Sequence, residues 1–522
     1  MTTRDTNHTA DTTHESNDSH TKLGRRTFLG AVGATAAGAS LLATGTARAH
    51  DHWDDDYDRV IDMVEDAGAD NTGNESITPK LEQYAANDTL LKFPPGRYFM
   101  DSQFRFTDFR HFGMMGDDAT LVPANYHNFD GPQYRLFRLG VDYDPGVDLR
   151  IQGFDVDLRA DDTGIRVIEA QVKDGLFVDD ITVVGQHDSG TYGPGLFNVL
   201  DPDGKGMVKR FRANYGGAFS ANTPGDIWRG PSGLMTTRQH KGQIEYKDCE
   251  LDDWPDNGLY ALTNGRVIVN GGRYANSEAA SIRLGGTNNL VTGARIVVNK
   301  QRPENQNQRG IRLDEGPGNA VVNTDIILDR PNGHAITVMN DCEDAYLRNL
   351  DIRIGNEINH GIVVQSKAGP TKILRSDINI NRGGNAIQIN GDNAGKVHCE
   401  YLDITGEADG DSWRHAIRCN RNDCEFRVVN VNQQGTNKRR AIVINGNDNL
   451  VYRGKQTATH IPIVVNGEGT WIERIDSQSS EDQRAAKLND QSSNVTLKHS
   501  HIKRGIWDKG CDGLRMYGND TS

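Results

Sequence analysis

Apolar residues recur along the second half of the chain in short strand-like segments, each of which sets a large aliphatic residue among small or polar ones. His360-Gly-Ile-Val-Val and His415-Ala-Ile-Arg-Cys are two examples, and similar segments recur about every 25 residues. The anchoring residues of these segments are Leu259, Ile282, Ile311, Ile336, Ile362, Ile387, Ile417, Ile442, Ile463 and Leu514, with Ala486 as a weaker anchor. This period predicts a solenoid, in which each coil buries its apolar face on the next.

Leucine-rich repeats have a similar period, but a second strand in each coil distinguishes a β-helix from a leucine-rich repeat. This strand begins with an Asp that recurs at one constant interval, at Asp325, Asp351, Asp377 and Asp403. Gly, Asn and Asp lie between the strands, and no run of helix formers is long enough to supply a helix in each repeat. The pattern therefore predicts an all-β fold, a right-handed parallel β-helix solenoid.

Amide side chains mark one corner of the predicted coil, three residues after the anchor. They are Gln365, Asn390, Asn420, Asn445, Asn466 and Asn489. Asn side chains stacked at one corner of successive coils can hydrogen-bond along the stack. We therefore expect these amides to be structural.

Residues 50–100 are expected to cover the open end of the solenoid, which occupies residues 101–522. The segment from Asp54 to Gly68 has apolar residues on one side and predicts a short amphipathic helix. A second helix is predicted to begin at Thr78-Pro79, with Thr as the N-cap and Pro as the first helical residue. Thr89 to Tyr98 then predicts a strand, a Pro-Gly turn and a second strand. The expected cap is thus short and helical.

This opening carries a resemblance to a known family. Gly68-Ala69-Asp70-Asn71-Thr72-Gly73, followed by a helix and by Phe93-Pro94-Pro95-Gly96-Arg97-Tyr98, resembles the start of secreted proteins of the pectate-lyase-like (pectin-lyase fold) β-helix superfamily. Over the rest of the chain the resemblance lies in the repeat architecture. It implies a right-handed parallel β-helix, but it does not fix the chemistry, because that superfamily includes lyases, hydrolases, epimerases, phage tailspikes and adhesins.

Residues 1–49 predict a secretion signal. The segment Gly24-Arg25-Arg26-Thr27-Phe28-Leu29 precedes a short run of Gly, Ala and Leu, and Ala47-Arg48-Ala49 follows as a cleavage site. The paired arginines resemble a twin-arginine signal, whose cargo is exported folded. A retained membrane anchor is the alternative, but the apolar run is short and rich in Gly and Ala for a span. We expect a secreted, extracellular protein with no membrane contact once the signal is removed.

The formal net charge of −14 argues against nucleic acid as a partner. Within this acidic chain, one predicted strip is rich in Arg and His. With each anchor pointing inward, the next residue points outward, which selects Tyr260, Arg283, Arg312, Thr337, Val363, Gln388, Arg418 and Val443. The first residues of the same strands are Asn257, Arg309, His334, His360, Asn385, His415 and Arg440. A local positive field suits a polyanion, so we expect this strip to bind an acidic polysaccharide. The alternative is that the polar side chains only solvate an exposed sheet face. We expect the protein to be a monomer.

Insertions lie just before several anchor strands, at one corner of the coil. They span His187 to Gly195, Asn214 to Pro231, Lys300 to Gln308 and Gly406 to Trp413. Insertions at one corner build walls beside one face of a solenoid, and that face is where solenoids usually bind their ligands.

The candidate site centres on Asp314, which stands where later coils have an amide. The predicted catalytic residues are Arg283, Arg312, Asp314 and His334. The predicted substrate-binding residues are Asn257, Tyr260, Arg309, His360, His187 and Arg229. In a lyase of the superfamily that the chain resembles, an Arg, Lys or His base removes the proton beside a uronate carboxylate, while cations, sometimes Ca²⁺ on Asp, stabilise the enolate. We expect a lyase of this kind. No metal ligand is assigned.

Two other functions remain open. A glycoside hydrolase needs two carboxylates that flank the bond, and Asp256 and Asp314 could supply them. A non-catalytic surface protein could bind glycan or a neighbouring cell through the same strip.

The recurring Asp ladder is either a cation site or a solvated face. The six cysteines have no metal-site spacing, and disulfides and buried thiols both fit them.

Overall fold

The computed structural model describes residues 53–131, 133–223, 229–391, 395–409 and 414–522. Every paired strand in these ranges runs parallel to its neighbours within two long sheets. The predicted fold class is therefore confirmed, because the chain forms a right-handed parallel β-helix of about 17 turns. The predicted secretion signal at residues 1–49 lies outside the described residues, as does part of the insertions at 214–231 and 406–413.

Sheet 1 carries the repeat anchors and has 16 strands. In chain order they are Phe104–Phe106, Arg135–Leu139, Arg166–Val172, Gly195–Val199, Leu234–Thr236, Asn257–Leu262, Ala280–Gly285, Ile311–Gly316, Ile336–Cys342, Ile362–Val364, Ile387–Ile389, Arg414–Cys419, Arg439–Ile444, Ile463–Val465, Ala486–Leu488 and Ile506–Asp508. Each strand pairs with the one before it and the one after it, so sheet 1 advances by one strand per coil.

Sheet 2 has 24 strands and forms the remaining sides of the coils. They are Arg59–Asp62, Thr72–Ser76, Thr89–Phe93, Gly96–Met100, Arg110–Pro123, Val147–Asp157, Leu176–Val184, Lys205–Ala213, Gln243–Lys247, Glu250–Asp252, Arg266–Asn270, Arg273–Ala275, Leu290–Thr292, Arg295–Val298, Asn319–Leu328, Ala345–Ile354, Thr371–Ile380, Val397–Thr405, Glu425–Gln433, Leu450–Ala458, Trp471–Ser479, Thr496–Lys498, His501–Ile502 and Arg515–Tyr517.

The predicted anchors form a continuous inward ladder on sheet 1. From Leu259 to Ile463 each anchor is paired with the next and fully buried, and the weaker anchor Ala486 continues the ladder. The prediction for Leu514 is wrong, since Arg515–Tyr517 next to it belongs to sheet 2. The last sheet 1 strand is Ile506–Asp508, and the shorter final coil makes the apolar pattern there ambiguous.

The recurring Asp residues are also in register. Asp325, Asp351, Asp377 and Asp403 are consecutive partners on sheet 2. Just before each of them the long strand bends at a residue in the left-handed region. These bend residues are Asn323, Asn349, Arg375 and Tyr401. Asn accepts this conformation readily, and the amide of Asn349 donates to the side-chain oxygen of Asn323 at 2.9 Å.

The predicted amide ladder is present at the corner after sheet 1. Asn445 donates to Asn420 at 2.6 Å, Asn466 donates to Asn445, and Asn489 donates to Asn466. Each side chain along this run gives a proton to the previous coil and accepts one from the next, so the ladder ties four coils together. The structural interpretation is confirmed for Asn420, Asn445, Asn466 and Asn489, whereas the side chains of Gln365 and Asn390 line a groove described below.

The N-terminal cap differs from the prediction. The helix expected over Asp54 to Gly68 is wrong, because Trp53–Asp56 is a 3₁₀ turn and Arg59–Asp62 is a strand paired with Thr89–Phe93. The β-branched Val60 and Ile61 favour the strand. The Asp62 carboxylate then accepts the next main-chain N–H groups, which ends the strand in a turn.

The second predicted helix is present as the α-helix Thr78–Tyr84, with Pro79 in its first turn. Its N-cap is Ile77 rather than Thr78, whose hydroxyl donates to the carbonyl of Ser102 at 3.2 Å. Ile77 and Leu81 are fully buried in the same hydrophobic core as the strands. This helix is the only helical part of the expected cap among the described residues that exceeds one turn.

One hydrophobic core runs through the interior from Met63 to Cys511. All six cysteines lie in it as buried free thiols: Cys249, Cys342, Cys399, Cys419, Cys424 and Cys511. Burial raises the pKa of the Cys249 and Cys342 thiols to about 12. Among the described residues, none of the helices is long and apolar enough to cross a membrane.

A buried arginine closes one corner of the later coils. Arg421 is fully buried, and its guanidinium donates to five main-chain carbonyls at 2.6–3.2 Å. These carbonyls belong to Gln365, Ser366, Ala368, Asn390 and Gly395. The side chain therefore joins its own coil to the turns of the two coils before it.

Candidate functional site

The outward positions of sheet 1 form a second ladder, which we call the outer ladder. Its members, in register, are Arg105, Arg138, Glu169, Leu196, Met235, Tyr260, Arg283, Arg312, Thr337, Val363, Gln388, Arg418 and Val443. The register predicted from Tyr260 to Val443 is confirmed. Because parallel strands lie about 4.8 Å apart, neighbouring members of the ladder can contact the same ligand.

Asp314 brings two guanidiniums of the outer ladder together. Its Oδ2 accepts from Nε and Nη2 of Arg283 at 2.8 and 2.6 Å, and its Oδ1 accepts from Nε of Arg312. The guanidinium of Arg283 also lies 5.2 Å from the centre of the Tyr260 ring. Asp314 is buried, so these charge-assisted bonds hold both guanidiniums in place. We call Asp314, Arg283 and Arg312 the arginine–aspartate cluster.

Arg309 adds a third positive charge beside this cluster. Burial, together with the nearby charges of Arg312 and Arg283, lowers its pKa to about 10, against the opposing effects of Asp314 and Glu278. Its Nη1 donates weakly to the carbonyl of Ala279 at 3.4 Å. Three guanidiniums thus lie close together, two of them on the carboxylate of Asp314, and they give this part of the strip a local concentration of positive charge.

His334 and His360 continue the strip on the next two coils, with their rings 5.2 Å apart. The Asn359 side-chain oxygen accepts the main-chain N–H of His360 at 2.8 Å, so it must also accept from Nδ1 of His334 at 2.7 Å. The neutral His334 ring therefore carries its proton on Nδ1 and a lone pair on Nε2. His360 is the opposite tautomer, because its Nδ1 accepts the Asn385 N–H at 2.8 Å.

Burial keeps His334 neutral. Desolvation lowers the pKa of its imidazole, and the nearby Arg309 charge lowers it further, while the bond to Asn359 acts in the opposite direction. A neutral imidazole whose Nδ1 proton is held by an amide oxygen keeps a lone pair on Nε2 that can accept a proton. His334 is therefore equipped to act as a general base.

A polar groove of about 330 Å³ follows the histidines. It is lined by His334, His360, Val363, Gln365, Asn385, Gln388, Asn390 and Arg418. Within it, the Asn385 amide donates to Gln388, and the Gln388 amide donates to Asn390 at 2.8 Å. Amides and imidazoles beside one guanidinium suit hydroxyl groups and a carboxylate more than an apolar ligand.

The insertion at 300–308 is fixed as a wall beside the cluster by Glu278. This carboxylate is 1% exposed and accepts from Arg229 at 2.9 Å and from the main-chain N–H groups of Gln306 and Asn307 at 2.9 and 2.8 Å. Arg302 on the same insertion donates to the carbonyl of Gly217 at 2.7 Å. Two insertions predicted to line the face are therefore joined to each other.

Three predicted substrate-binding residues lie in different surroundings from those expected. His187 is 1% exposed, its Nε2 contacts Thr191 Oγ1 at 2.9 Å, and burial lowers its pKa to about 4. Asn257 is fully buried at the start of its strand. The guanidinium of Arg229 binds Glu278 and Gln306. The buried side chains of His187 and Asn257 cannot reach a ligand on the strip. Arg229 instead fixes the 300–308 insertion through Glu278 and Gln306.

Sequence reasoning missed Asn359 and Glu278. Asn359 fixes the tautomer of His334, and Glu278 holds the 300–308 insertion. Both lie at coil corners, outside the periodic strands, where side-chain direction does not follow from spacing. The available signal was local, since Asn359 directly precedes His360 and Glu278 is a lone acid between small residues.

The residues present do not fit a Ca²⁺ ion. Both oxygens of Asp314 face guanidiniums. On sheet 2, Asp351 pairs with Arg353, and mutual repulsion along the Asp ladder adds to burial in raising the pKa of Asp377. No group of three His, Cys, Asp or Glu side chains in the described ranges is arranged to hold a metal. The site is therefore interpreted without a cation.

No family model and no curated protein matches the chain. Similar solved structures include the Agl-KA catalytic domain, at 12% identity and a TM-score of 0.31 over 91% of this chain and 69% of that chain. The Streptococcus pneumoniae surface protein and adhesin PfbA is 12% identical, with a TM-score of 0.31 over 88% of this chain and 100% of that chain. The pre-mature bacteriophage phi29 gene product 12 is 10% identical, with a TM-score of 0.36 over 88% and 73%. Likenesses this distant say nothing about substrate.

Proposed function

We propose that this chain is a secreted polysaccharide lyase that acts on an acidic, uronate-containing glycan. The observation that carries the proposal is the pair of guanidiniums of Arg283 and Arg312 on the carboxylate of Asp314, with Arg309 close to both and to the neutral imidazole of His334. Fixed guanidiniums bind a carboxylate and stabilise negative charge that develops on it. The resemblance of the chain's opening to pectate-lyase-like proteins agrees with this chemistry.

The proposed reaction is a β-elimination. The guanidiniums bind the uronate carboxylate and lower the energy of the enolate formed from it. The proton on the carbon next to the carboxylate moves to Nε2 of His334. The released electron pair forms a carbon–carbon double bond, the glycosidic C–O bond on the neighbouring carbon breaks, and the leaving oxygen takes a proton from water. The hydroxide that remains takes the proton from His334, which restores the neutral imidazole. Tyr260 and His360 would contact the sugars on either side.

The test uses the mature protein with a panel of polyuronates, including polygalacturonate, polymannuronate and polyglucuronate. We expect products with ultraviolet absorbance from the new double bond. His334→Ala should lower turnover by about 100-fold or more, which is typical for loss of a general base. His501→Ala on sheet 2 is the control, because this His is exposed and far along the chain from the strip. Equal turnover in wild type and His334→Ala would refute the assignment of the base.

A glycoside hydrolase is the second candidate, and Asp256 is the observation that favours it. Burial raises the pKa of its carboxyl, while Ser232 donates to it at 2.8 Å and Arg283 acts electrostatically against the shift. A raised pKa suits the general acid of a hydrolase, with Asp314 as the second carboxylate. New reducing ends that form without the ultraviolet product, and that are lost in Asp256→Asn, would establish this alternative. Binding without either product would indicate a non-catalytic glycan-binding protein.

A further inference from the structure

A second group of guanidiniums lies on the outer ladder nearer the N-terminus. Glu169 Oε2 accepts from Nε of Arg135 at 2.6 Å and from Nη1 of Arg166 at 2.9 Å, and its Oε1 lies 3.5 Å from Nε of Arg138. Glu169 and Arg166 are almost fully buried, at 2% exposure each. Among the described residues, Glu169 is the one carboxylate in ion-pair contact with these three guanidiniums.

This group carries a buried excess of positive charge. Burial lowers the pKa of Arg166, although Glu169 opposes that shift. Nε of Arg166 and Nε of Arg138 are buried and have no hydrogen-bond partner in the described part of the chain. Removing a charge from water without a partner is costly, so an arrangement with more buried guanidiniums than carboxylates favours a bound anion.

Arg138 is the member of the group that reaches the surface, with 23% of its side chain exposed. Tyr192, on the insertion from His187 to Gly195, covers Arg166, whose guanidinium lies 4.9 Å from the ring centre. Met235 Sδ lies 3.6 Å from Nη2 of Arg166. Both Tyr192 and Met235 are half-buried, so an aromatic ring and a thioether side chain lie between the guanidinium of Arg166 and the surface. A charged group beside an aromatic face is a common way to bind a charged sugar unit.

The set of arginines around Glu169 and the arginine–aspartate cluster both lie on the outer ladder. The outer ladder passes from Arg138 through Glu169, Leu196, Met235 and Tyr260 to Arg283. Five strand spacings separate Arg138 from Arg283, which corresponds to about 24 Å along the solenoid axis. A single sugar cannot contact both groups, but an extended polymer lying along the strip can.

We propose that Arg138, together with Arg135 and Arg166 around the same carboxylate of Glu169, forms a second oxyanion-binding site that takes a carboxylate of the polymer bound at the arginine–aspartate cluster. The identity of the ligand rests on the proposed function, but the binding of an oxyanion does not. The polymer would lie along the solenoid axis, and the second site would add affinity for long chains without taking part in bond cleavage.

The first experiment tests the oxyanion site with inorganic sulfate, independently of any glycan. Thermal unfolding is measured in sulfate and in chloride at equal ionic strength for wild type, Arg138→Gln and the control Arg110→Gln, which removes an exposed charge on sheet 2. Sulfate stabilises proteins in general, so the comparison between variants is the readout. We expect Arg138→Gln to lose part of the sulfate stabilisation that wild type and Arg110→Gln show. Equal stabilisation in all three proteins would overturn the site.

The second experiment tests the ligand with polyuronates and the matching disaccharides. Arg138→Gln should raise the Kd for the polymer about tenfold, as expected for one charge-assisted contact, and leave binding of the disaccharide and kcat unchanged. Arg138→Lys, which keeps the charge, should recover part of the affinity. An unchanged polymer Kd in Arg138→Gln would overturn the extended binding mode. If no polyuronate binds wild type, the proposed function fails, and the sulfate result still decides the oxyanion site.

Discussion

Asp314 orients the positive side chains of the candidate site. Its two oxygens bind Arg283 and Arg312 separately, so each guanidinium keeps free N–H groups for a ligand. Arg309 stands beside them with a pKa lowered to about 10 by burial and by its two positive neighbours. Because these groups are fixed before a ligand arrives, little reorganisation is needed when charge develops on a bound carboxylate.

Arg312→Ala should remove most of the turnover with little loss of fold. The guanidinium is proposed to stabilise the enolate, and loss of one such contact lowers kcat by about 100-fold. The position is only partly buried on the outer face, so the melting temperature should stay close to that of wild type. Arg295→Ala, at an exposed position on sheet 2, is the matched control. Full activity in Arg312→Ala would place the chemistry elsewhere on the protein.

Buried neutral histidines should make the protein less stable in acid. Burial lowers the pKa of His240 from 6.5 to about 4. Between these values the unfolded chain binds a proton that the folded chain does not, so stability falls as the pH drops from about 6.5 to about 4. The loss is about 3 kcal/mol for one such group.

The melting temperature measured at pH 7 and pH 5 checks this prediction. His240 Nδ1 accepts from the Val199 N–H at 3.0 Å, and its Nε2 contacts the Arg266 carbonyl at 3.2 Å. In His240→Gln the side-chain oxygen and amide can replace these two contacts without titrating. The difference in melting temperature between the two pH values should therefore be smaller in His240→Gln than in wild type, and an identical difference would contradict the assignment.

At the scale of strands, the sequence period correctly predicted the features that repeat in every coil, namely which side chains point into the core and which residues pair between strands. The anchors from Leu259 to Ile463 and the Asp ladder follow from a regular alternation that fixes which side chains enter the core. Prediction failed at the two ends. Near Asp54 an amphipathic pattern was too short to separate a helix from a strand, and near Leu514 the final coil is shorter than the period.

The same reasoning explains which site residues could be predicted. Tyr260, Arg283 and Arg312 lie on strands, so the outward register placed them together. Asn257 starts its strand at a corner and His187 lies in an insertion, and side-chain direction at such positions depends on loop contacts that no period encodes. The roles of the corner residues depend on contacts with neighbouring coils, as for Asn359 with His334.

Ile417→Asp should destabilise the solenoid, whereas Arg418→Asp on the same strand should not. Ile417 is fully buried on the inward ladder and Arg418 is exposed on the outer ladder. An unpartnered carboxylate in the core costs several kcal/mol, so the melting temperature of Ile417→Asp should fall sharply or the variant should not fold. Arg418→Asp is the matched control, because it introduces the same Asp side chain at a solvent-exposed position of the same strand. Similar stability in the two variants would show that the register is wrong.

At the scale of the whole molecule, long-range contacts join coils that are distant in sequence. Arg421 bonds carbonyls up to 56 residues away, and Arg302 bonds the carbonyl of Gly217 across 85 residues. Stacked repeats otherwise contact only their neighbours, and these side chains add links across insertions and turns. The wall beside the arginine–aspartate cluster is therefore part of the scaffold rather than a separate loop.

Export by the twin-arginine route is a prediction about the whole chain. Changing Arg25 and Arg26 together to Lys should keep the precursor inside the cell, because that pathway reads the arginine pair. Fractionation of cells and medium with an antibody against the mature protein provides the measurement. Changing the nearby Lys22 to Arg is a control that leaves the pair intact. Secretion at the wild-type level in the double variant would indicate the general export pathway.

The six buried thiols have a consequence for where this protein can mature. All of them lie in the described part of the chain, and none is joined to another. The coils are linked by main-chain bonds, amide ladders and packing, so assembly does not wait for an oxidase or an isomerase. A chain of this kind can fold completely in the reducing cytosol. Folding before export is what the twin-arginine route requires, because that route exports folded proteins.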